Sequence, residues 1–412
     1  MDKRTPKLRR VTFTLVLVTA ILIVVAALFS IIANGGKTVF YIKPTEIRPL
    51  DNPYMGYAST NPETASDLTY VEVTWAELEP VEGDLDFEGI EEKYNFNMLR
   101  AAGKRIVFKL ISDRPTDTDH IDIPEWLYDR TTGEHYDNET GKGFSPDYSN
   151  LNFMRTHERT ITALGKKYGG DDFFAFIEIG SVGHDGNFKV SDEIDITIDR
   201  YLLENYIEDY INSFKNSVLL TPGEGYFTEE YGLGEYNPDI ADGFDGFTPG
   251  KVFGAHIHDD SDYTAATMNI GLSYLVSDSR PSDVVLSNVG YVLKVTEAFA
   301  WADDETQSVS VNMTFANSGN AAFPTDKEPV LYVVNSRGNI LVKFPLELNL
   351  SSIKPGTQAS VEETIVLSSF KNERSFRLCV GVQDALTDEP NVVFAMENEI
   401  VPFVYNFGNV IL

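Results

Sequence analysis

The chain has 412 residues, with 42% hydrophobic and 12% aromatic content, enough to pack a barrel-sized domain and a smaller module and too much for a chain disordered as a whole. The first 37 residues hold six Lys/Arg and one acid, which leaves 27 basic and 62 acidic residues in the rest, a net charge of −35. A body so acidic repels phosphate backbones and anionic lipid heads, which excludes nucleic acid as a partner.

The chain begins with Lys3, Arg4, Lys7, Arg9 and Arg10, followed by an uncharged run over 11–33. As a helix rising about 1.5 Å per residue, that run is long enough for a hydrocarbon core of about 30 Å. Basic residues before it predict a cytoplasmic N-terminus, residues 1–36 as tail and single-pass anchor, and an extracellular body. A cleaved signal peptide is the alternative, with Val25-Ala26-Ala27 as its cleavage site. Cys379 is the only cysteine, so no internal disulfide forms; its place in the alternating "FRLCVGV" predicts a small buried apolar side chain.

Residues 37–287 alternate strand and helix patterns. "TYVEVTW" (69–75) reads as a strand; Ile90, Tyr94, Met98 and Ala101 mark a helix closed by Gly103; "RIVFKLI" (105–111) is the next strand. That βαβ order builds parallel sheets. Phe153, His157, Ile161, Leu164 and Tyr168 mark a second helix ended by Gly169-Gly170, and "FFAFIEIGS" (173–181) a third strand. Leu203, Ile207, Tyr210, Ile211 and Phe214 mark another helix, "SVLLTP" follows, and "KVFGAHIH" (251–258) reads as a further strand. The expectation is a (β/α)₈ barrel, abbreviated in its later units. The long polar connection over 112–152 leaves a strand at the end where such barrels carry their active sites. Residues 288–412 change to short alternating strands, with Ser336-Arg337-Gly338-Asn339 as a hairpin turn, and predict an antiparallel β-sandwich.

Candidate site residues follow from this frame. Strand alternation puts Phe174, Phe176 and Glu178 on one face and Ala175, Ile177 and Ile179 on the other. A carboxylate inside a barrel strand needs a partner, and Lys109 on the preceding sheet strand is the candidate. Either the two form a structural ion pair, or Glu178 faces a pocket with its ionisation set by Lys109. Asp185 is the next acid along, with Glu224, Glu229, Glu230 and Glu235 available later. Trp75 and Trp126 offer flat apolar faces on which a sugar ring stacks; for Trp75, Glu79 and Pro80 the alternative is a packing motif. His184, Asn187 and His256 offer hydrogen bonds. His256-Ile257-His258 has a metal-binding look, but no third ligand at sensible spacing accompanies it, so neither metal nor cofactor is expected.

The stretch "TWAELEPVEGDLDFEGI" (74–90) resembles the large glycosidase superfamily of (β/α)₈ barrels, with Trp75, Leu78, Glu79, Pro80, Gly83, Asp86 and Phe87 in the matching places. More narrowly, "NPYMGY" (52–57), "WAELEPVEG", "IPEW" (123–126), "SPDYSN" (145–150), "EIGSVG" (178–183), "NVGYVL" (288–293) and "FANSGNAAFP" (315–324) resemble the bacterial family termed domain of unknown function 4832, with its partner domain of unknown function 4874. The resemblance implies a glycosidase-like barrel, a C-terminal sandwich and a role on extracellular polysaccharide. The family pattern Gly-Ser-x-Gly-x-Trp-Gly-Glu-Trp stands here as Gly180 to Phe188, with Asn187 at the Glu position and both tryptophans replaced. An amide cannot protonate a leaving group, and glycoside hydrolysis takes two carboxyl groups. Two readings therefore stay open: an enzyme using Glu178 with Asp185 or a later carboxylate, and a degenerate barrel that binds glycan in polysaccharide export or wall attachment.

Overall fold

The computed structural model describes residues 38–411 except 46–50, 62–63, 65–67, 224, 241–249, 264–269, 304, 371–372 and 374. The expected anchor over 11–33 and Glu224 lie outside the described residues. Among the described residues no helix is long and apolar enough to cross a membrane.

Eight parallel strands close a barrel in chain order. They are β2 (Gly56–Ser59), β3 (Leu68–Thr74), β4 (Arg105–Ile111), β7 (Phe174–Glu178), β8 (Val218–Pro222), β9 (Gly234–Asn237), β10 (Phe253–His256) and β11 (Tyr274–Ser277), which pairs back to β2. The barrel is therefore complete, although its last three strands have only four residues each. The long connection after β4 folds into a hairpin, β5 (Gly133–Asn138) and β6 (Gly141–Pro146).

The helical layer follows the expected spacing where the pattern is long. Asn150 caps the helix Leu151–Tyr168, accepting from the backbone N–H groups of Asn152 and Phe153, and the apolar stripe Phe153, Ile161, Leu164 and Tyr168 is buried against the sheet. The earlier helix departs from expectation. It breaks at Asn95, whose φ of 55° is left-handed, into Phe87–Lys93 and Phe96–Ala101. The break changes the phase, so Phe96 and Leu99 face the core and Met98 is exposed.

β7 departs too. The β4–β7 register steps from Ile106–Phe174 to Val107–Phe176, leaving Ala175 as an unpaired extra residue. Phe174 therefore packs outward against Phe96, Phe108 and Tyr168, while Phe176 and Glu178 point inward. The expected common face of Phe174 and Glu178 is broken by this bulge.

The C-terminal half is a sandwich of two antiparallel sheets. One contains β12 (Leu293–Asp303), β13 (Ser308–Asn317) and β16 (Gln358–Val366); the other contains β14 (Val330–Asn335), β15 (Ile340–Pro345), β17 (Ser375–Gly381), β18 (Glu399–Val401) and β19 (Val404–Ile411). The 336–339 turn joins β14 to β15, with Gly338 at φ 89°. Cys379 is buried and unpaired. The expected division at residue 287 needs one correction: β1 (Thr38–Phe40) pairs with β12 and belongs to the sandwich. The barrel floor and the sandwich also share one apolar core, with Tyr54, Met55 and Tyr274 packed in the same cluster as Tyr291, Leu293 and Phe323. A buried Arg105–Asp384 ion pair crosses the junction.

Candidate active site at the barrel mouth

Three neighbouring strands set the centre of the site. Glu72 on β3 is in register with Lys109 on β4, and Lys109 with Glu178 on β7. The row alternates negative, positive, negative, so each buried charge has an opposite charge on the next strand. Lys109 and Glu178 are buried, and Glu72 is about one quarter exposed at 26% of its side chain.

Glu178 is held on every side. Its Oε1 accepts from His256 Nε2 at 3.0 Å and from the Tyr274 hydroxyl at 2.9 Å. Its Oε2 stands 3.8 Å from Lys109 Nζ. The ion pair expected from the sequence is thus present, but it is the longest of these contacts. Burial pushes the Glu178 carboxyl upward, and His256, Lys109 and Tyr274 together outweigh burial and hold it below the usual range. The Tyr70 hydroxyl donates to Glu72 Oε2 at 2.9 Å and lies 3.4 Å from Glu178 Oε2, so one phenol stands between two carboxylates. Arg114, from the connection after β4, pairs with Glu72 on its outer side.

The loop after β7 brings the third carboxyl. Gly183 and Gly186 have φ of 81° and 70°, and a Cβ on Gly186 would lie 2.3 Å from Gly180 Cα, so the loop folds tightly onto its own strand end. Asp185 sits between these glycines at φ 50°, with its N–H donated to Asp113 O at 2.8 Å. Its carboxyl takes no hydrogen bond among the described residues. Burial pushes it up to about 6, with Glu72 and Asp113 adding to the rise and Lys109 and Arg114 opposing it. The Tyr236 hydroxyl donates to Gly186 O at 3.1 Å and fixes the loop from below.

The other expected residues fall in two places. His184 is buried beside Tyr136, with Nδ1 on Asp113 Oδ2 at 2.9 Å, so it supports the loop. Asn187 donates its backbone N–H to His184 O at 2.9 Å, and its Oδ1 is buried without a hydrogen-bond partner among the described residues. His256 faces Glu178, whereas His258 lies beyond the strand end and is 77% exposed, so the two imidazoles do not share a face. Among the described residues no three His, Cys, Asp or Glu are grouped to hold a metal ion.

Trp75 is not a stacking platform. It is fully buried, edge-on to Phe153 and His157, and its Nε1 donates to Glu79 Oε2 at 3.0 Å. Glu79 also accepts from Gly83 N at 2.8 Å and Thr160 Oγ1 at 2.6 Å, and pairs with Arg159. Trp126 donates from Nε1 to Glu79 O at 3.0 Å, with Arg159 over its ring at 5.4 Å. The "WAELEP" block is a staple between the end of β3 and the helix Leu151–Tyr168, because a buried carboxylate needs this many donors. Glu229 and Glu230 are exposed on the helix Gly225–Tyr231, and Glu235 is buried in β9.

Glu72, Tyr70, Tyr274 and Arg114 were not anticipated. For Glu72 a signal existed: it interrupts the apolar strand "TYVEVT" as Glu178 interrupts "FAFIE".

No family model matches the chain, and no curated protein matches it. Among solved structures, the catalytic domain of β-amylase from Paenibacillus polymyxa is 9% identical, over 52% of this chain and 85% of that one, at a TM-score of 0.36. An exo-β-1,4-mannosidase from Opitutaceae bacterium strain TAV5 is 12% identical over 46% of this chain and 32% of that one, at 0.28. β-Glucosidase 3B from Thermotoga neapolitana is 11% identical over 92% and 53%, at 0.20. The chain spans well under two thirds of the last two proteins, and the chemistry of the site rests on its own side chains.

Proposed function

We propose that the barrel mouth cleaves a glycosidic bond of an extracellular polysaccharide, with Asp185 as proton donor and Glu72 as the second carboxyl group. The observation that carries this reading is Asp185: a carboxyl in the loop at the C-terminal end of a barrel strand, without a hydrogen bond among the described residues, pushed up to about 6 and under the charges of Glu72, Lys109 and Arg114. A general acid works best with its proton affinity near the working pH, and such help is worth about 10²–10⁴ in rate. Asp185 takes the role that Asn187 cannot perform. Glu178 is a positioning residue, since it is buried with both oxygens engaged. The resemblance of residues 74–90 to glycosidase barrels supports a sugar substrate, and the 11–33 run supports a location at the cell surface.

Binding without cleavage is the second reading, favoured by the amide at Asn187. Both are tested by incubating the full-length protein with a panel of polysaccharides and measuring retention and release of reducing ends. The hydrolase reading expects release that falls at least about 100-fold in Asp185→Asn with the fold intact. Retention without release selects the binding reading, and neither retention nor release across the panel overturns the carbohydrate assignment.

A further inference from the structure

The barrel has a second concave surface at the end opposite the mouth. The lead-ins to β8, β9 and β10 face the sandwich across a groove of about 380 Å³, within the range of about 300–1,000 Å³ usual for small-molecule sites. Val218, Val252 and Pro324 make an apolar floor over the buried Phe214 and Phe323. Three cations rim it: Lys215 beyond a helix end, Lys251 ahead of β10, and Lys354 from the sandwich.

Among the described residues Lys93, Lys142 and Lys327 pair with carboxylates, whereas Lys215, Lys251 and Lys354, like Lys166 and Lys294, do not. Among the described residues no Asp or Glu lines the groove, and none of the three ammonium groups has a carboxylate oxygen within 4.0 Å. Lys354 makes one long hydrogen bond, to Gly250 O at 3.5 Å. Asp326 feels Lys354 only weakly and is already bonded by Asn349 and Ser351. Three like charges around one groove favour an anion between them. A bare inorganic anion would leave the apolar floor unused. A pyranose ring bearing a carboxylate uses both, its C–H face on the floor and its charge among the lysines.

We infer that this groove binds a carboxylate-bearing sugar unit of an acidic polysaccharide, between Lys215, Lys251 and Lys354. The inference rests on the reading of the protein as polysaccharide-directed, and it makes that polysaccharide acidic.

The test is calorimetric titration of the full-length protein with tetrasaccharides of galacturonate and of hyaluronan, a neutral tetrasaccharide of glucose, and inorganic phosphate. Expected is binding of an acidic tetrasaccharide that exceeds the neutral one, weakens as salt is raised, and falls about tenfold or more in Lys251→Gln/Lys354→Gln. Equal binding of neutral and acidic sugars, no binding of either acidic probe, no effect of the lysine substitutions with an unchanged melting temperature, or phosphate binding as tightly as the sugars overturns it. Loss of the hydrolase reading looks different: no reducing ends appear from any polysaccharide, while lysine-dependent binding of the acidic probe persists.

Discussion

His256 Nε2 donates to Glu178 Oε1 at 3.0 Å, joining barrel strands that lie 78 residues apart in sequence. Glu178 is ionised and can only accept, so the proton of this bond belongs to the imidazole. The contact turns a buried carboxylate, costly on its own, into the node that holds β7, β10 and β11 around the mouth.

Glu178→Gln should lower stability by about 3–5 kcal/mol at neutral pH, because it leaves Lys109 with less negative charge beside it and disturbs three hydrogen bonds. The folded carboxyl lies below its ordinary 4.5, so its contribution is full above that value and lost as pH falls through the lower folded one. Denaturant unfolding of both proteins should show a gap at pH 7 that closes under acid conditions. A constant gap would mean that shape, not charge, is what the substitution removes.

Asp185→Asn should behave in the opposite sense. The folded carboxyl is held at about 6 against an ordinary 3.8, so folding favours its protonated form. That stability is full below 3.8 and is lost as pH rises through 6, so the variant gains on the natural protein across this interval. Melting temperatures between pH 4 and 8 check it. On the proposed function, turnover by the natural protein also falls as pH rises above about 6.

The fragment 288–412 should not fold cooperatively by itself. It lacks β1, which pairs along β12, and it exposes Tyr291, Leu293 and Phe323, which share a core with the barrel floor. Circular dichroism and heat capacity of the fragment should show no sharp transition. In the full chain, Asp384→Ala should cost about 3–5 kcal/mol by stranding the buried Arg105.

Trp75→Ala should cost about 3–5 kcal/mol through the cavity left against Phe153 and His157. Any glycan retention measured well below the melting temperature should be unchanged, because no face of this ring reaches solvent. Retention lost while the fold persists would restore Trp75 as a binding residue.

The sequence by itself determined the alternation of strands and helices, the parallel barrel, the antiparallel sandwich, and the adjacency of Lys109 to Glu178. These are readable because side-chain periodicity, caps and turn glycines act over a few residues. The glycine loop after β7 was legible for the same reason. Only the tertiary structure decided that Trp75 and Glu79 are a buried staple, that Thr38–Phe40 belongs to the sandwich, and that a bulge at Ala175 turns Phe174 outward. It also decided which carboxyls meet. Glu72 comes from β3, Glu178 from β7 and Asp185 from the loop after β7, and the ionisation of Glu178 and Asp185 depends on burial and on charges brought in from other strands. Those fields exist only once the barrel has closed, because desolvation and charge proximity are properties of the packed site and not of its local sequence.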